Sequence, residues 1–231
     1  MSIDINPGHE GVSIFESEVR SLLDSNPRNK EALKGKEWVY IELAELLRHD
    51  RVSFEHTLRV TEMFDVVLKD YTDELHLTEE AVLTGRRAAL EHDLGKKNVP
   101  LSILTKSDRL VPKEEQLMQK HVLDSRIIAQ SHGGDPEADA IFIGHHMWGR
   151  EPHYPDIETY GPRGDELLRK EQVLLATVDA YDAMTGPRPY NNGGMALTIA
   201  RDALIRERVF PEKAIRIAAQ VQVRLLPDKA Q

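Results

Sequence analysis

Histidine and aspartate recur in this chain in an arrangement suited to holding metal ions. His92 and Asp93 are adjacent near the end of an apolar stretch, and His145 and His146 form a doublet. His56, His121 and Asp179 each fall within a separate stretch whose apolar residues recur at helical intervals. Neutral imidazole and carboxylate are both good ligands for divalent iron, manganese or zinc. A His-Asp pair alone is most often an ordinary surface feature; the weight comes from the remaining residues, which several helices can converge on one interior site. Neighbouring residues on a helix point about 100° apart, so His92 with Asp93, and His145 with His146, suit two adjacent metals better than one crowded ion. The Asp93 carboxylate is the natural bridge. Two metals about 3.5–4 Å apart lower the pKa of a bridging water, orient a phosphate ester and neutralise the charge of in-line attack. Lys96, four residues after His92, would lie on the same side of a continuing helix with its ammonium on a phosphate oxygen. Gly95 instead favours a helix end, which would leave Lys96 a solvated C-terminal cation.

Composition narrows the chemistry. With no cysteine among 231 residues, disulfides, thiolate zinc sites and a cysteine nucleophile are excluded, so nitrogen and oxygen must supply any ligands. The formal charge of -9 is spread without a basic stripe, which argues against extended nucleic acid and leaves a small anionic ligand as the expected partner. No run of about 18 apolar residues occurs and MSIDINPGHEG lacks signal-peptide character, so a cytoplasmic protein with no membrane partner is expected.

The elements that must position these residues read as helices throughout, with no alternating strand series. Residues 1–50 are expected to be an arm and helices packed on the core, and residues 51–231 the catalytic domain. Ser13 to Glu16 has capping-box spacing and predicts the first helix there, after a loose arm. A second helix is expected through EWVYIELAELLRH, and a third following Ser53 with His56 in its first turn. Thr78 before Glu79 and Glu80 predicts a capped helix delivering His92 and Asp93 at its end. Pro112 with Glu114 and Glu115 predicts a helix carrying His121, and Pro136 opens one ending near the histidine doublet. The stretch from Met147 to Gly164 is the longest expected loop, either a lid or a surface excursion. Trp38, Tyr40, Ile41, Leu43 and Leu46 are core contacts or, if exposed, the face of a homodimer.

The arrangement resembles the HD superfamily of metal-dependent phosphohydrolases, and within it the HD-GYP cyclic dinucleotide phosphodiesterases. EHTLRV, HDLGKKNVPLSIL, QKHVLDS, GHHMWGREPHYPD and ATVDAYDAMTGPRPY carry the resemblance, over roughly residues 50–205. It implies an all-α HD-domain bundle with an interior metal site. One metal would be held by His56, His92, Asp93 and Asp179, the other by Asp93, His121, His145 and His146. It further implies two divalent ions, iron or manganese by preference although nickel and zinc accept the same donors, with Asp93 and Lys96 catalytic and Lys96, Arg188 and Tyr154 on the substrate. The chain departs from the pattern as well. Met147, Arg150 and Glu151 replace the family's Glu and Asp-Gly, and His153 replaces the glycine of the name-giving triplet, leaving Tyr154 and Pro155. Asn191 and Asn192 stand where a basic residue commonly follows the RPY segment, and Val52 stands where some members carry a third-metal Glu.

Cleavage of a phosphodiester in a small nucleotide, cyclic di-GMP or a related cyclic dinucleotide, by a metal-activated water is therefore the leading expectation. An HD-type nucleotidase or phosphomonoesterase, a di-iron oxygenase and a non-catalytic nucleotide-sensing module are the alternatives. Asp182, one turn after Asp179, either organises the residues around the site or forms a plain salt bridge.

Overall fold

The computed structural model describes residues 7–148, 154–155, 170–187 and 194–226. Among them every regular element is a helix and there is no strand, so the all-α expectation holds. Helices α1 (Pro7–Asp24), α2 (Pro27–Ala32) and α3 (Glu37–His49) lead into α4 (Arg51–Asp70), whose 20 residues make it the spine of the molecule. The short α5 (Thr72–Leu75) turns the chain into α6 (Glu79–Glu91), followed by a 3₁₀ turn (Leu94–Asn98) and α7 (Leu101–Leu104). Then come α8 (Pro112–Gln119), α9 (His121–Ser131), α10 (Pro136–Phe142), α11 (Lys170–Thr185), α12 (Leu197–Glu207) and α13 (Glu212–Leu225).

The spine forms because its apolar residues fall on one broad face. Phe54, Val60, Met63, Phe64, Val67 and Leu68 have no exposed surface, and each such burial stabilises by roughly 1.5–3 kcal/mol. Helices α3, α6, α11 and α13 pack around it. One core joins α4 to α6, α10, α11, α12 and α13. A second joins α1 and α3 to Phe54, Leu90 and Leu94, and buries Tyr40, Leu43 and Leu46. Those three are core contacts, Trp38 packs partly buried against both cores, and Ile41 is left exposed. A small satellite core unites Val99, Ile103 and Leu104 with Leu110, Leu117 and Met118.

Three helix boundaries differ from expectation. Helix α1 begins at Pro7, upstream of Ser13, consistent with the preference for proline at the first helical position, where a missing N–H costs nothing. The cap of α4 is Asp50, not Ser53: its carboxylate accepts from the Ser53 N–H at 3.0 Å, which moves His56 into the second turn. The helix from Pro112 stops at Gln119, and His121 opens a separate helix. Thr78 caps α6 as expected, accepting from the Ala81 N–H at 3.1 Å. No helix among the described residues is long and apolar enough to cross a membrane.

Candidate metal centre

Five structural elements bring the expected residues together. His56 projects from α4 and Asp179 from α11, while His92 and Asp93 follow the end of α6. His121 opens α9, and His145 and His146 lie in the turns after α10. Two sets of donor atoms result, each within 4.8 Å of one another: His56, His92 and Asp93 in one, His121, His145 and His146 in the other. Asp93 lies between them. Its Oδ2 is 3.4 Å from His56 Nε2 and 3.2 Å from His92 Nε2, and its Oδ1 is 3.3 Å from His121 Nε2. Asp179 Oδ1 completes the first set, 2.9 Å from His56 Nε2.

The imidazoles are oriented by local backbone. His92, His121 and His145 each direct Nδ1 at the carbonyl three residues earlier, at 2.7 Å to Ala89, 2.6 Å to Met118 and 2.6 Å to Phe142. A carbonyl can only accept, so Nδ1 carries the proton and a neutral ring turns the Nε2 lone pair inward. His56 places Nδ1 2.6 Å from Asp182 Oδ2 instead. The inward atoms, Nε2 of all four rings and Asp93 Oδ1, are buried without a hydrogen-bond partner. Such orphans are costly unless something else satisfies them. Two donors each about 2.1 Å from one cation and at right angles would lie about 3.0 Å apart. The observed separations of 2.9 to 3.4 Å fit divalent metal ions in that space.

Charge at the carboxylates and at the His145–His146 doublet points the same way, while His92, against the effect of burial, is raised by Asp93. Burial pushes the Asp93 carboxyl upward, but His92, Lys96 and His121 override it and hold it well below the usual range. Asp179 is held similarly low, against burial, chiefly by His56. Burial lowers His145 to about 3, helped by neighbouring His92, and brings His146 well below its ordinary value, so these rings stay neutral donors. Asp182 ends outside the centre, resolving its two readings: it accepts from Arg59 Nε at 2.7 Å, Arg59 Nη2 at 3.0 Å and Gln222 Nε2 at 2.6 Å while holding His56. Neither Arg59 nor Gln222 stands out in the sequence, because only the packing of α13 on α4 and α11 brings them to Asp182.

Lys96 is buried, with its ammonium on the Asp93 carboxylate, so it is not a solvated helix-end cation. The α-helix does end before it, and the 3₁₀ turn turns Lys96 inward. Gly95 is required for this turn. A Cβ there would come 2.0 Å from the His121 carbonyl oxygen and 2.7 Å from the Ser125 nitrogen. The Gly95 N–H instead donates to Ser125 Oγ at 2.8 Å, and that hydroxyl donates to the His92 carbonyl at 2.9 Å.

A cavity of about 550 Å³ adjoins the histidines, a size typical of small-ligand clefts. Lys96, His121, His146 and Tyr154 line it, together with Ile103, Leu104, Arg109 and Met118. Tyr154 stacks on His146 with ring centroids 4.4 Å apart. Of the wall from Ile103 to Met118, only Ile103 and Leu104 fall within a motif singled out in the sequence, HDLGKKNVPLSIL. Arg188, His153, Arg150, Glu151, Asn191, Asn192 and most of the Met147 to Gly164 loop lie outside the described residues. Outside the centre, His49 reaches the Val99 carbonyl at 2.8 Å, and His132 stacks on Trp38 and sits 3.1 Å from Glu42.

A helical bundle that gathers imidazoles and carboxylates from separate helices around buried, unpartnered donor atoms belongs to the class of helical metal-site domains. The particular family follows from comparison. The HD domain model matches residues 53–184, more than half of the chain, and the chain belongs to that family. Similar curated proteins include a cyclic di-GMP phosphodiesterase of Thermotoga maritima, 31% identical over 59% of this chain and 36% of its own length. A 3'3'-cGAMP-specific phosphodiesterase of Vibrio cholerae is 29% identical over 63% of this chain and 31% of its own. The chain thus spans about a third of the length of these relatives. Among solved structures, the HD domain of an L. monocytogenes phosphodiesterase in complex with cyclic-di-AMP has the same fold, with a TM-score of 0.55, 18% identity and coverage of 82% of this chain and 97% of that one. An HDG"Y"P protein from Bdellovibrio bacteriovorus matches with a TM-score of 0.54 and 16% identity over 92% of this chain and 70% of that one.

Proposed function

We propose that the chain is a metal-dependent phosphodiesterase acting on a cyclic dinucleotide, in a cytoplasmic setting. His56, His92, Asp93 and Asp179 would hold one divalent ion and Asp93, His121, His145 and His146 the second. The observation that carries this reading is the convergence of four buried Nε2 lone pairs and Asp93 Oδ1 with no partner of their own, beside a cavity large enough for a nucleotide. Divalent ions at such a site, when bound, polarise phosphoryl oxygens and acidify water. The chain's own residues supply the rest. Lys96, at the junction of centre and cavity, offers its ammonium to a phosphate oxygen, and Tyr154 presents a ring face and hydroxyl from the cavity wall. The Nδ1 hydrogen bonds of His92, His121 and His145 hold these three imidazoles in one tautomer, so they need not reorient during turnover. An all nitrogen and oxygen donor set favours iron or manganese over metals that prefer sulfur. The substrate class is supported by the relatives, whose names record phosphodiesterases of cyclic di-GMP and 3'3'-cGAMP.

The deciding experiment is elemental analysis of protein purified anaerobically under reducing conditions, with hydrolysis of cyclic di-GMP, 3'3'-cGAMP and a generic phosphodiester followed in parallel. About two metals per chain with cleavage of a cyclic dinucleotide is the expected result. Two metals with cleavage of phosphomonoesters only would replace the reading by a nucleotidase, and no metal under any loading condition would overturn it.

A further inference from the structure

We propose that Arg109 is a specificity-determining residue of this cavity, contacting an anionic group of the substrate remote from the phosphate at the histidines; this rests on the phosphodiesterase reading. Three cations line the cavity. The Lys96 ammonium is engaged by Asp93, and the Lys106 ammonium lies on Glu114. Arg109 alone of the three has no carboxylate partner among the described residues; Asp108 and Glu115 line the same cavity without reaching it. An exposed guanidinium lining a cleft, with no carboxylate partner among the described residues, offers its planar fork for bidentate recognition of a phosphate.

The segment that carries it is built rather than slack. Glu114 accepts from the Val111 N–H at 2.8 Å and holds Lys106, which closes the chain on both sides of Arg109. Beneath it, Leu110, Leu117 and Met118 pack on the satellite core of Val99, Ile103 and Leu104. The position therefore has a fixed backbone, and the entropy cost of engaging a ligand is confined to one side chain. A cyclic dinucleotide carries two phosphodiesters, and Arg109 lines the same cavity as His121 and His146.

The test compares binding of two hydrolysis-resistant probes to metal-replete protein by calorimetry: the phosphorothioate analogue of cyclic di-GMP, with two anionic groups, and that of 3',5'-cyclic GMP, with one. Arg109→Ala should weaken the two-anion probe about tenfold or more and the one-anion probe less than twofold. Arg109→Lys should recover part of the loss, and Lys113→Ala, an exposed neighbour outside the cavity, should change neither. An unchanged affinity for the two-anion probe, an equal loss for both probes, or the same loss from Lys113→Ala would overturn the proposal, as would wild-type protein that binds neither probe. Wild-type protein that binds both probes yet cleaves no cyclic dinucleotide would remove the phosphodiesterase reading separately, while Arg109 stands or falls on the affinity ratio.

Discussion

Asp93 meets three imidazoles and one ammonium through a single carboxylate, with Oδ2 toward His56 and His92 and Oδ1 toward His121. Asp93→Ala should therefore lower metal content at both positions and abolish hydrolysis while the circular dichroism spectrum stays helical. Full activity of the metal-replete variant would sink the bridging role. Lys96→Met should leave metal content intact and slow phosphodiester cleavage about 10²-fold, the scale of removing one charge-stabilising donor. Unchanged kinetics would reduce Lys96 to a structural partner of Asp93. Asp182 acts one bond further out, fixing the tautomer of His56 against Arg59 and Gln222. Such outer partners typically govern 10–100-fold in metal affinity. Asp182→Asn should weaken binding at the proposed position held by His56 by about that factor in chelator competition, and affinities unchanged from wild type would argue that His56 is held by packing alone.

At the level of elements, the 3₁₀ turn after α6 is where sequence and site geometry are most tightly linked. It touches α9 through Gly95 and α3 through Lys97, whose ammonium lies between Glu42 and Glu45. Gly95→Ala must force the turn away from His121 and Ser125, and overpacking of this kind costs about 1–3 kcal/mol. The urea midpoint should fall accordingly, and an unchanged midpoint would show that α9 shifts freely. The same turn explains why the N-terminal helices matter. Removing residues 1–49 would uncover Phe54, Leu90 and Leu94 and strip Lys97 of both carboxylates. The shortened chain is expected to bind a hydrophobic dye and lose a sharp melting transition. A cooperative melt without those residues would make them a separable unit.

For the molecule as a whole, the centre holds two carboxylates kept below their usual range, Asp93 and Asp179, among imidazoles whose lone pairs face inward, with Asp182 a third just outside it and Lys96 bonded directly to Asp93. The cations proposed to bind there would supply part of the stability of that core. Saturation at about 100 times the dissociation constant stabilises by about 2.7 kcal/mol, and each 1 kcal/mol shifts the melting temperature by about 2–4 °C at this chain length. Complete chelation should thus lower the melting temperature by about 5–10 °C and re-addition restore it. A melting temperature indifferent to metal would mean that the centre is satisfied by proton uptake instead.

The seven residues proposed as ligands could be named from the sequence, because metal chemistry restricts the residue types and the helical period restricts where each can point; the structure gathers six of them in two donor groups and sets Asp179 beside His56. So was the all-helical architecture, since amphipathic spacing is a local property. Helix ends were legible only in part. Thr78 competes with nothing, whereas Asp50 and Ser53 are both plausible caps, and which carboxylate or hydroxyl meets an N–H depends on the approach of α3. Tertiary structure alone decided that Lys96 points inward, that Gln222 from the last helix braces Asp182, and that the segment around Arg109 walls the cavity. The physical reason is range: composition and periodicity constrain residues within a few turns of one another, while a cavity and its charge balance are made by side chains that meet only when distant helices pack.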